Sequence, residues 1–424
     1  MYRWTSWILA CFTITTGVAQ SKTLTLDTSL ALARENYPLI RQLDLIRSSE
    51  SYTLSNLSRA WWPQINVTGQ LSYQSDVTML SIPVPGIPVP EPISKDQYKF
   101  YADVGQMIYD GGAVRNQRQL ARSSAQMEIL KTESELYRIN ERVMQLYFGC
   151  LLIQKQMDLT ALLQKDLDEQ IKKADAAWAA QTISAATRYA LLAERIKSGQ
   201  RMLELRSQFQ LWKSMLARFI GMDDRLEWRF VKPDARTWNG SINRWEMQLF
   251  DRQAMIADQQ WKLNRSKVIP RLQAFGQLGY ANPALNFLKN EFDTYYIAGL
   301  RLSWNLSAAY NLHGERKLGL LQKSIAELQK ESFVFNTQLQ LLQQIEEQNK
   351  LEALLRSDDE LVDLRNRIKL AAKAQWENGM IPVSDYLREW NAADQAEVNR
   401  TIHEIQVLQA SYLNAYHNGN LSVK

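Results

Sequence analysis

The side chains that most often carry chemistry are few in this chain, and they lie far apart. Its 424 residues include two cysteines and three histidines. The histidines, His313, His403 and His417, lack the spacing of a zinc site, and none is near Cys150 in sequence. The sequence therefore predicts neither a metal site nor a thiol-dependent reaction.

Two runs of adjacent carboxylates could in principle supply a general acid and a general base. They are Asp223-Asp224 and Asp358-Asp359-Glu360. No base, nucleophile or metal-ligand pattern accompanies either run, so we interpret them as a helix cap or a solvent-facing helix surface. We predict no catalytic residue, no cofactor and no bound metal, and hence a chain that is not an enzyme.

The first 19 residues have the composition of a secretory signal peptide. Arg3 is positively charged, residues 4–16 are mostly apolar, and Gly17-Val18-Ala19 offers small side chains for cleavage. The apolar stretch is too short to cross a bilayer, and no later run is long enough for a transmembrane helix. Cys11 leaves a lipoprotein cleavage site open as an alternative. Once residues 1–19 are removed, Cys150 has no partner for an intramolecular disulfide.

The net charge of +5 is small, and basic and acidic residues are mixed along the chain. No basic block indicates a nucleic-acid partner. The informative feature is instead the order of the predicted elements, because that order occurs twice.

The duplication appears at two kinds of junction. A helix-to-proline-to-strand junction occurs at Pro63 and again at Pro270, 207 residues later. Long helices begin after Gly112 and after Ala309, which are 197 residues apart. A duplication of this kind takes precedence over local motifs. We predict a signal peptide at 1–19, a first repeat at 20–221, a linker at 222–240 and a second repeat at 241–424.

Each repeat is predicted to contain two β-strands of about ten residues, because apolar and polar side chains alternate. This length lets a tilted strand cross a bilayer, and alternation with many aromatic residues is typical of a transmembrane β-barrel. For any single strand, a half-buried soluble sheet is the alternative. The apolar positions are Ile65, Val67, Leu71 and Tyr73; Tyr98, Phe100, Ala102, Val104 and Ile108; Leu272, Ala274, Leu278 and Tyr280; and Tyr296, Ala298, Leu300, Leu302 and Trp304.

The long helices carry apolar residues at alternating steps of three and four, which is the spacing of a coiled coil. A helix from Ala113 to about Lys173 would be roughly 90 Å long. Cys150 lies in this pattern and is interpreted as a small core residue. The first stripe comprises Leu136, Ile139, Val143, Leu146, Cys150, Ile153 and Met157, and the second comprises Leu318, Leu321, Ile325, Leu328, Ser332, Phe335, Leu339 and Leu342.

Each long helix is predicted to turn back at a short break. The breaks contain Ile183 and Ile381, which are 198 residues apart. Returning helices are predicted at 185–220 and 383–417. Leading helices are predicted at 26–62, with a notch at Pro38, and at about 242–268.

In this order of elements the chain resembles the outer-membrane efflux protein family, the TolC-like channel tunnels. The resemblance covers nearly all of the chain after residue 19 and rests on the order, spacing and duplication of its parts. These parts are Asn36-Tyr37-Pro38, the two proline junctions, Tyr109-Asp110-Gly111-Gly112, and Asn378-Gly379-Met380-Ile381 followed by Asp385-Tyr386-Leu387.

The resemblance implies a fold class: an α+β membrane protein with a long α-helical coiled-coil tunnel and four transmembrane β-strands per protomer. It also implies an obligate homotrimer that forms a twelve-stranded β-barrel and an α-barrel. The strand count supports oligomerisation independently, because four strands leave two open edges and lipid tolerates only closed sheets.

The resemblance also implies which residues line the pore aperture. In this family, acidic residues on the last hairpin ring the periplasmic opening, and Asp385 occupies such a position. Arg388 stands where a second acidic residue often lies, and the corresponding positions of the first repeat are Thr187 and Arg188. The alternative is that Asp385 and Arg388 form a local surface pair worth about 0.2–0.5 kcal/mol.

The two breaks are where members of this family meet periplasmic adaptor proteins. A simple helix-reversing turn is the alternative, and one turn can serve both purposes. Ile381 replaces a polar gating residue found in some relatives. The implied contact residues are Gln181, Thr182, Ile183, Gly379, Met380 and Ile381.

Two functions of different classes follow. The first is a passive duct for small molecules or polypeptides, the outer-membrane channel of a tripartite efflux or type I secretion system. It would lie in the outer membrane of a Gram-negative bacterium, extend into the periplasm, and work with a periplasmic adaptor (membrane fusion) protein and an inner-membrane transporter. The second is a secreted coiled-coil interaction or scaffold protein with small soluble sheets. The sequence leaves open whether the cargo is a drug, a metal ion or a polypeptide.

Overall fold

The computed structural model describes residues 22–78, 93–236 and 241–421. The predicted signal peptide and Cys11 lie outside these ranges, as do residues 237–240 of the predicted linker. Residues 81–91, whose four prolines predict a surface loop, also lie outside them. Within the described ranges, no helix has an apolar segment long enough to cross a membrane.

The elements follow one another in the predicted order. The first repeat contains β1 (Lys22–Leu24), α1 (Leu26–Asn36), α2 (Ile40–Ser58), a 3-10 turn (Arg59–Trp61), β2 (Gln64–Tyr73), β3 (Asp96–Tyr109), α3 (Ala113–Ala179) and α4 (Ala185–Ile220). After β4 (Trp228–Phe230), the second repeat contains α5 (Trp245–Ser266), β5 (Arg271–Asn282), β6 (Asp293–Ser303), a 3-10 turn (Leu306–Ala309), α6 (Leu312–Glu377) and α7 (Val383–His417). The bounds of α4 and α7 match the prediction.

The predicted leading helix at 26–62 is wrong as a single element. It is divided between α1 and α2, because Tyr37 adopts an extended conformation with φ −70° and ψ 129°. A residue that precedes proline is sterically disfavoured in the α region, so Pro38 ends α1. Asn36 secures the break by donating a hydrogen bond from Nδ2 to the Ile220 carbonyl at 2.9 Å.

The chain folds into two compact units. The sheet unit comprises residues 41–134 and 245–334, and the helical unit comprises residues 1–40, 135–244 and 335–424. Each unit thus draws on both predicted repeats.

The sheet unit contains an antiparallel sheet in the order β2-β3-β5-β6, with β2 and β6 as its open edges. The register pairs Ile65 with Val104 and Leu278 with Tyr296, so the apolar positions of all four strands share one face. Many of these side chains are exposed in the single chain, and Leu71 is 78% exposed. One face of the sheet is therefore a broad apolar surface that the described residues of this chain leave exposed.

Asp110 positions the start of α3 in the sheet unit. Its Oδ1 accepts a hydrogen bond from the Gly112 amide at 2.8 Å, and its Oδ2 accepts one from the Val114 amide at 2.6 Å. Gly111 and Gly112 both have positive φ values, 69° and 82°, which glycine adopts readily. This geometry explains the Tyr-Asp-Gly-Gly sequence at the junction of strand and helix.

The helical unit holds most of the buried core. A small parallel sheet pairs β1 with β4, and it was not predicted from the sequence. The Tyr147 hydroxyl lies 2.8 Å from the Leu24 carbonyl and 2.7 Å from the Val231 carbonyl, so it ties this sheet to α3. Phe148 of α3 packs edge-on against Tyr412 of α7.

Residues of the first stripe lie inside the helical unit. Leu146 is 4% exposed, and the other members of the stripe are buried or half-buried. Cys150 is fully buried, and burial raises the pKa of its thiol to about 12. The prediction that Cys150 is a small core residue is confirmed.

Residues of the second stripe, on α6, are all exposed in the single chain. Leu318, Leu321, Ile325 and Leu328 belong to the sheet unit, whereas Phe335, Leu339 and Leu342 belong to the helical unit. Leu342 is 61% exposed. The predicted coiled-coil spacing is present, but the described residues of the chain leave these apolar side chains exposed.

Candidate functional site

The turn between α3 and α4 is closed by its own backbone. Gln181 has a positive φ of 60°, and its amide donates to the Trp178 carbonyl at 2.9 Å. The Thr182 amide donates to the Ala177 carbonyl at 2.9 Å. These two bonds form a Schellman motif, which normally places glycine at the left-handed position.

The turn between α6 and α7 repeats this geometry with glycine in place. Gly379 has φ 72°, and its amide donates to the Trp376 carbonyl at 2.9 Å. The Met380 amide donates to the Gln375 carbonyl at 2.8 Å. Gly379 therefore corresponds to Gln181, and the 198-residue offset inferred from the isoleucines holds for the backbone hydrogen bonds.

The returning helices start by different means. Ser184 caps α4, and its Oγ accepts a hydrogen bond from the Thr187 amide at 3.3 Å. Pro382 occupies the cap position of α7 and supplies no side-chain hydrogen bond. Asp385 lies in the first turn of α7, where a carboxylate interacts favourably with the positive end of the helix dipole.

A shared apolar cluster, which we call the turn cluster, supports both turns within the helical unit. Ile183 and Ile381 pack against it and are half-buried. Gln181, Thr182, Gly379 and Met380 are exposed, and Met380 is 70% exposed. The two isoleucines thus anchor the turns, and the other four predicted contact residues form their accessible surface. The buried members are Leu163, Leu167, Ala174, Leu191, Ala372, Val383, Tyr386, Leu387 and Trp390.

Asp385 and Arg388 lie together on α7. Arg388 Nη1 is 3.3 Å from Asp385 Oδ1, and Arg388 Nε is 3.2 Å from Glu389 Oε1. The side chains of Asp385 and Arg388 are 40% and 70% exposed, so this pair is strongly solvated. One chain therefore presents Asp385 as a partly neutralised surface carboxylate.

The 198-residue offset aligns Thr187 with Asp385, as predicted, but the predicted correspondence of Arg188 with Arg388 is wrong. Arg188 aligns with Tyr386, and Ala190 aligns with Arg388. Both Arg188 and Tyr386 lie against the tryptophan that precedes their turn. The Arg188 guanidinium is 5.3 Å from the Trp178 ring centroid, whereas Tyr386 stacks on Trp376 at 5.0 Å. Burial in the turn cluster raises the pKa of Tyr386 and keeps its phenol neutral.

Arg188 also has a carboxylate partner. Its Nε lies 2.6 Å from Asp175 Oδ1, so it joins α4 to α3. The first turn is therefore braced by a charged residue where the second is braced by an aromatic one.

Two links between the repeats were not predicted from the sequence. Arg201 of α4 lies 2.9 Å from Asp394 of α7, and Lys173 of α3 lies 3.6 Å from Glu377 of α6. Each joins residues about 200 positions apart, and no sequence spacing marks them. They fasten the two hairpins to each other within the helical unit.

The interpretation of Asp358 as part of a solvent-facing surface is wrong. Asp358 is buried, and its Oδ2 lies 2.5 Å from Nδ1 of His403. Asp359 is more exposed and lies 2.6 Å from Nε of Arg400. Packing of α7 against α6 covers Asp358, which the sequence of α6 alone does not reveal.

The other carboxylate run stabilises the turn that follows α4. Asp223 Oδ1 accepts a hydrogen bond from the Arg225 amide at 3.0 Å, and Asp224 Oδ2 accepts one from Ser214 Oγ at 2.7 Å. Among the described residues, no group of three or more His, Cys, Asp or Glu side chains could hold a metal ion.

Comparison with known proteins adds two findings. Residues 30–187 match the family model described as "Outer membrane efflux protein". No curated protein matches the chain significantly. The resemblance to the outer-membrane efflux protein family that the sequence indicated is confirmed.

Several solved structures share the fold at low sequence identity. The Campylobacter jejuni CmeC outer membrane channel has a TM-score of 0.65 at 13% identity, covering 94% of this chain and 87% of its own. The Vibrio cholerae outer membrane protein VceC has a TM-score of 0.66 at 12% identity, and the match covers 93% of this chain and 96% of VceC. The open state of the Neisseria gonorrhoeae MtrE outer membrane channel has a TM-score of 0.65 at 12% identity, and the match covers 94% of this chain and 90% of MtrE. The chain therefore has the fold of these channels.

Proposed function

We propose that this chain is one of three identical subunits of an outer-membrane efflux channel. The channel is a passive duct without a reaction or cofactor of its own. The fold and the family match of residues 30–187 support this proposal.

The observation that carries the proposal is the open four-stranded sheet with an exposed apolar face. Lipid suits the apolar side chains, but it leaves no hydrogen-bond partner for the backbone of β2 and β6 at the edges. A closed barrel requires at least about eight strands. Three copies, each adding β6 to the β2 of the next, close a sheet of twelve strands.

The exposed stripe on α6 fits the same assembly. Its apolar residues keep the spacing of a coiled coil, and in one chain they face solvent. A neighbouring subunit covers them in the trimer. The helices of three subunits then enclose the periplasmic part of the duct.

Energy and cargo selection come in part from other proteins. We propose that a periplasmic adaptor docks on the exposed turn residues Gln181, Thr182, Gly379 and Met380, and that an inner-membrane transporter drives export. This assembly is a tripartite efflux or a type I secretion system. Asp385 from three subunits rings the periplasmic aperture, with Arg388 beside it.

Two measurements on the purified chain test the proposal. The mass of the protein in detergent should be that of three chains, and the protein should conduct ions across a planar bilayer. A stable folded monomer would contradict the trimer. A soluble assembly that never conducts would favour the alternative function, a secreted coiled-coil scaffold.

A further inference from the structure

The second face of the sheet, in the sheet unit, carries its charges in separate bands. Arg271 pairs with Ser303 and Gln273 pairs with Arg301, so both arginines lie on this face at the end next to α5 and α6. Because side chains alternate between faces, Phe275 and Gln277 share it. This is the polar face, opposite the apolar surface described above.

Arg301 is held in place by an aromatic ring. Its guanidinium carbon lies 4.7 Å from the centroid of Phe275, a cation–π contact. The Phe275 ring lies over Gly299, where an added Cβ would come within 3.1 Å of the ring. Glycine at 299 therefore makes room for the ring that supports Arg301.

Arg271 borders an open cavity of about 480 Å³ at the end of the same strand pair. Ser303 and Lys267 also line this cavity, so its walls carry two cations and a hydroxyl. Lys267 Nζ donates to Asn264 Oδ1 at 3.0 Å. Among the described residues, neither Arg271 nor Arg301 has a carboxylate within ion-pair distance.

The acidic residues of the polar face do not neutralise these arginines. Asp103 pairs with Gln277, which donates to its carboxylate at 2.9 Å. Arg301 pairs with Gln273, which lies four positions along β5 from Gln277. At the rise of a strand, Asp103 and Arg301 are therefore about 13 Å apart along the strand direction. This separation exceeds the Debye length of about 8 Å at physiological ionic strength.

The remaining charges balance each other at the far end of the sheet. Lys99 pairs with Ala281, and Ala281 pairs with Asp293, so Lys99 and Asp293 lie at one level. The net positive charge of the polar face is therefore concentrated at Arg271 and Arg301.

We propose that Arg271 and Arg301 form an anion-selecting band in the duct and that the cargo class it favours is organic anions with a planar aromatic part. The inference rests on the proposed function, because three copies of the band would ring one conducting path. Rings of arginine select anions in pores. A guanidinium is planar, so it can bind a sulfonate or carboxylate through paired hydrogen bonds and stack on an aromatic plane.

The test uses the purified full chain in planar bilayers. The chloride-to-potassium permeability ratio is measured in a KCl gradient, and block of the current is titrated with pyrenetetrasulfonate. In the R271Q/R301Q variant the ratio should fall, and the half-blocking concentration should rise about tenfold or more, since charge-assisted hydrogen bonds are lost.

Two further variants keep the test specific. K99Q removes a cation from the balanced band of the same face and should change the ratio less than R271Q/R301Q does. R301K keeps the charge but lacks the planar guanidinium. The chloride-to-potassium permeability ratio should therefore stay unchanged, while block by pyrenetetrasulfonate weakens.

The outcomes separate this inference from the proposed function. A parent protein that conducts, together with R271Q/R301Q channels of unchanged ratio and unchanged block, would overturn the anion-selecting band alone. If the double variant does not insert, R301K channels blocked as strongly as the parent would overturn it instead. A parent that never conducts would overturn the proposed function and this inference with it.

Discussion

The first and second stripes have the same heptad spacing but opposite environments. On α3 the stripe lies inside the helical unit, with Val143 and Cys150 fully buried. On α6 the second stripe, including Leu342, faces solvent, whereas positions 198 residues after the first stripe, such as Leu341 and Leu351, are buried. The difference shows that the same periodicity can mark either a buried or an exposed face of a helix.

Duplication does not account for this difference. Each long helix has an apolar face that is covered within the helical unit, at Val143 on α3 and, 198 residues later, at Leu341 on α6. The second stripe is an additional face of α6 that the described residues leave exposed. In the proposed trimer a neighbouring copy covers it, because a head-to-tail interface closes into a ring when the rotation between subunits closes.

The largest expected effect compares Leu146→Ala with Leu342→Ala. Leu146 is 4% exposed, so its truncation leaves a cavity and should cost about 2–5 kcal/mol of unfolding free energy. Leu342 is 61% exposed in the chain, so its truncation should act only on assembly. Thermal unfolding at several protein concentrations distinguishes the two, because assembly makes the melting temperature depend on concentration.

Equal loss of stability at all concentrations for both variants would contradict the comparison. It would mean that the stripe on α6 is buried within the chain. Lys323→Ala, which removes an exposed charged side chain of α6, serves as a control that should alter neither property strongly.

A second comparison concerns the two faces of the large sheet. We expect lipid to cover its exposed apolar face. Leu71→Arg should block insertion at a cost of about 2–4 kcal/mol per chain near the membrane midplane. The adjacent Gln70→Arg projects to the polar face and should insert and change only conductance. Fractionation and planar-bilayer recording measure the two effects. Equal tolerance of both arginines would show that the sheet does not face lipid.

A smaller effect distinguishes the two turns. Gln181 occupies a left-handed conformation with φ 60°, so Gln181→Gly should stabilise the helical unit by up to about 1 kcal/mol. Gly379→Ala forces a side chain into φ 72° and should destabilise it by about 1 kcal/mol. Denaturant unfolding measures both changes. Shifts of the same sign would mean that the two turns are not equivalent.

The smallest energies are expected at Asp385 and Arg388, whose pairing is worth about 0.2–0.5 kcal/mol. The functional effect is larger if three Asp385 side chains ring the aperture. Asp385→Ala should weaken cation selectivity and block by trivalent cations from the periplasmic side, whereas Arg388→Ala should strengthen both. The double variant should resemble Asp385→Ala. Single-channel recordings unaffected by either change would remove Asp385 from the pore.

Local patterns were sufficient to predict most elements. Alternation located the four strands of the large sheet, and the 198-residue offset located two turns whose hydrogen bonds correspond atom by atom. Pro38 predicts only a notch in the leading helix, whereas the structure has a complete break, because a distant contact between Asn36 and Ile220 reinforces it.

Other features depend on contacts between distant residues, which a pattern cannot report. β1 and β4 are three residues each, too short to alternate recognisably. Arg201 and Asp394 meet only because α4 and α7 lie side by side. At the candidate site, Ile183 and Ile381 resembled accessible turn residues, but the turn cluster half-buries them.

The pairing of β1 with β4 constrains when the helical unit can finish folding. Lys22 pairs with Trp228, 206 residues later, so at typical synthesis rates the partner of the first strand appears roughly 10 to 40 seconds after it. Tyr137 donates to the Tyr416 carbonyl, and Asn243 donates to the Asn418 carbonyl. The helical unit thus closes only when the last helix is available. Until then the first strand remains an unpaired edge, the kind of surface through which incompletely folded chains aggregate.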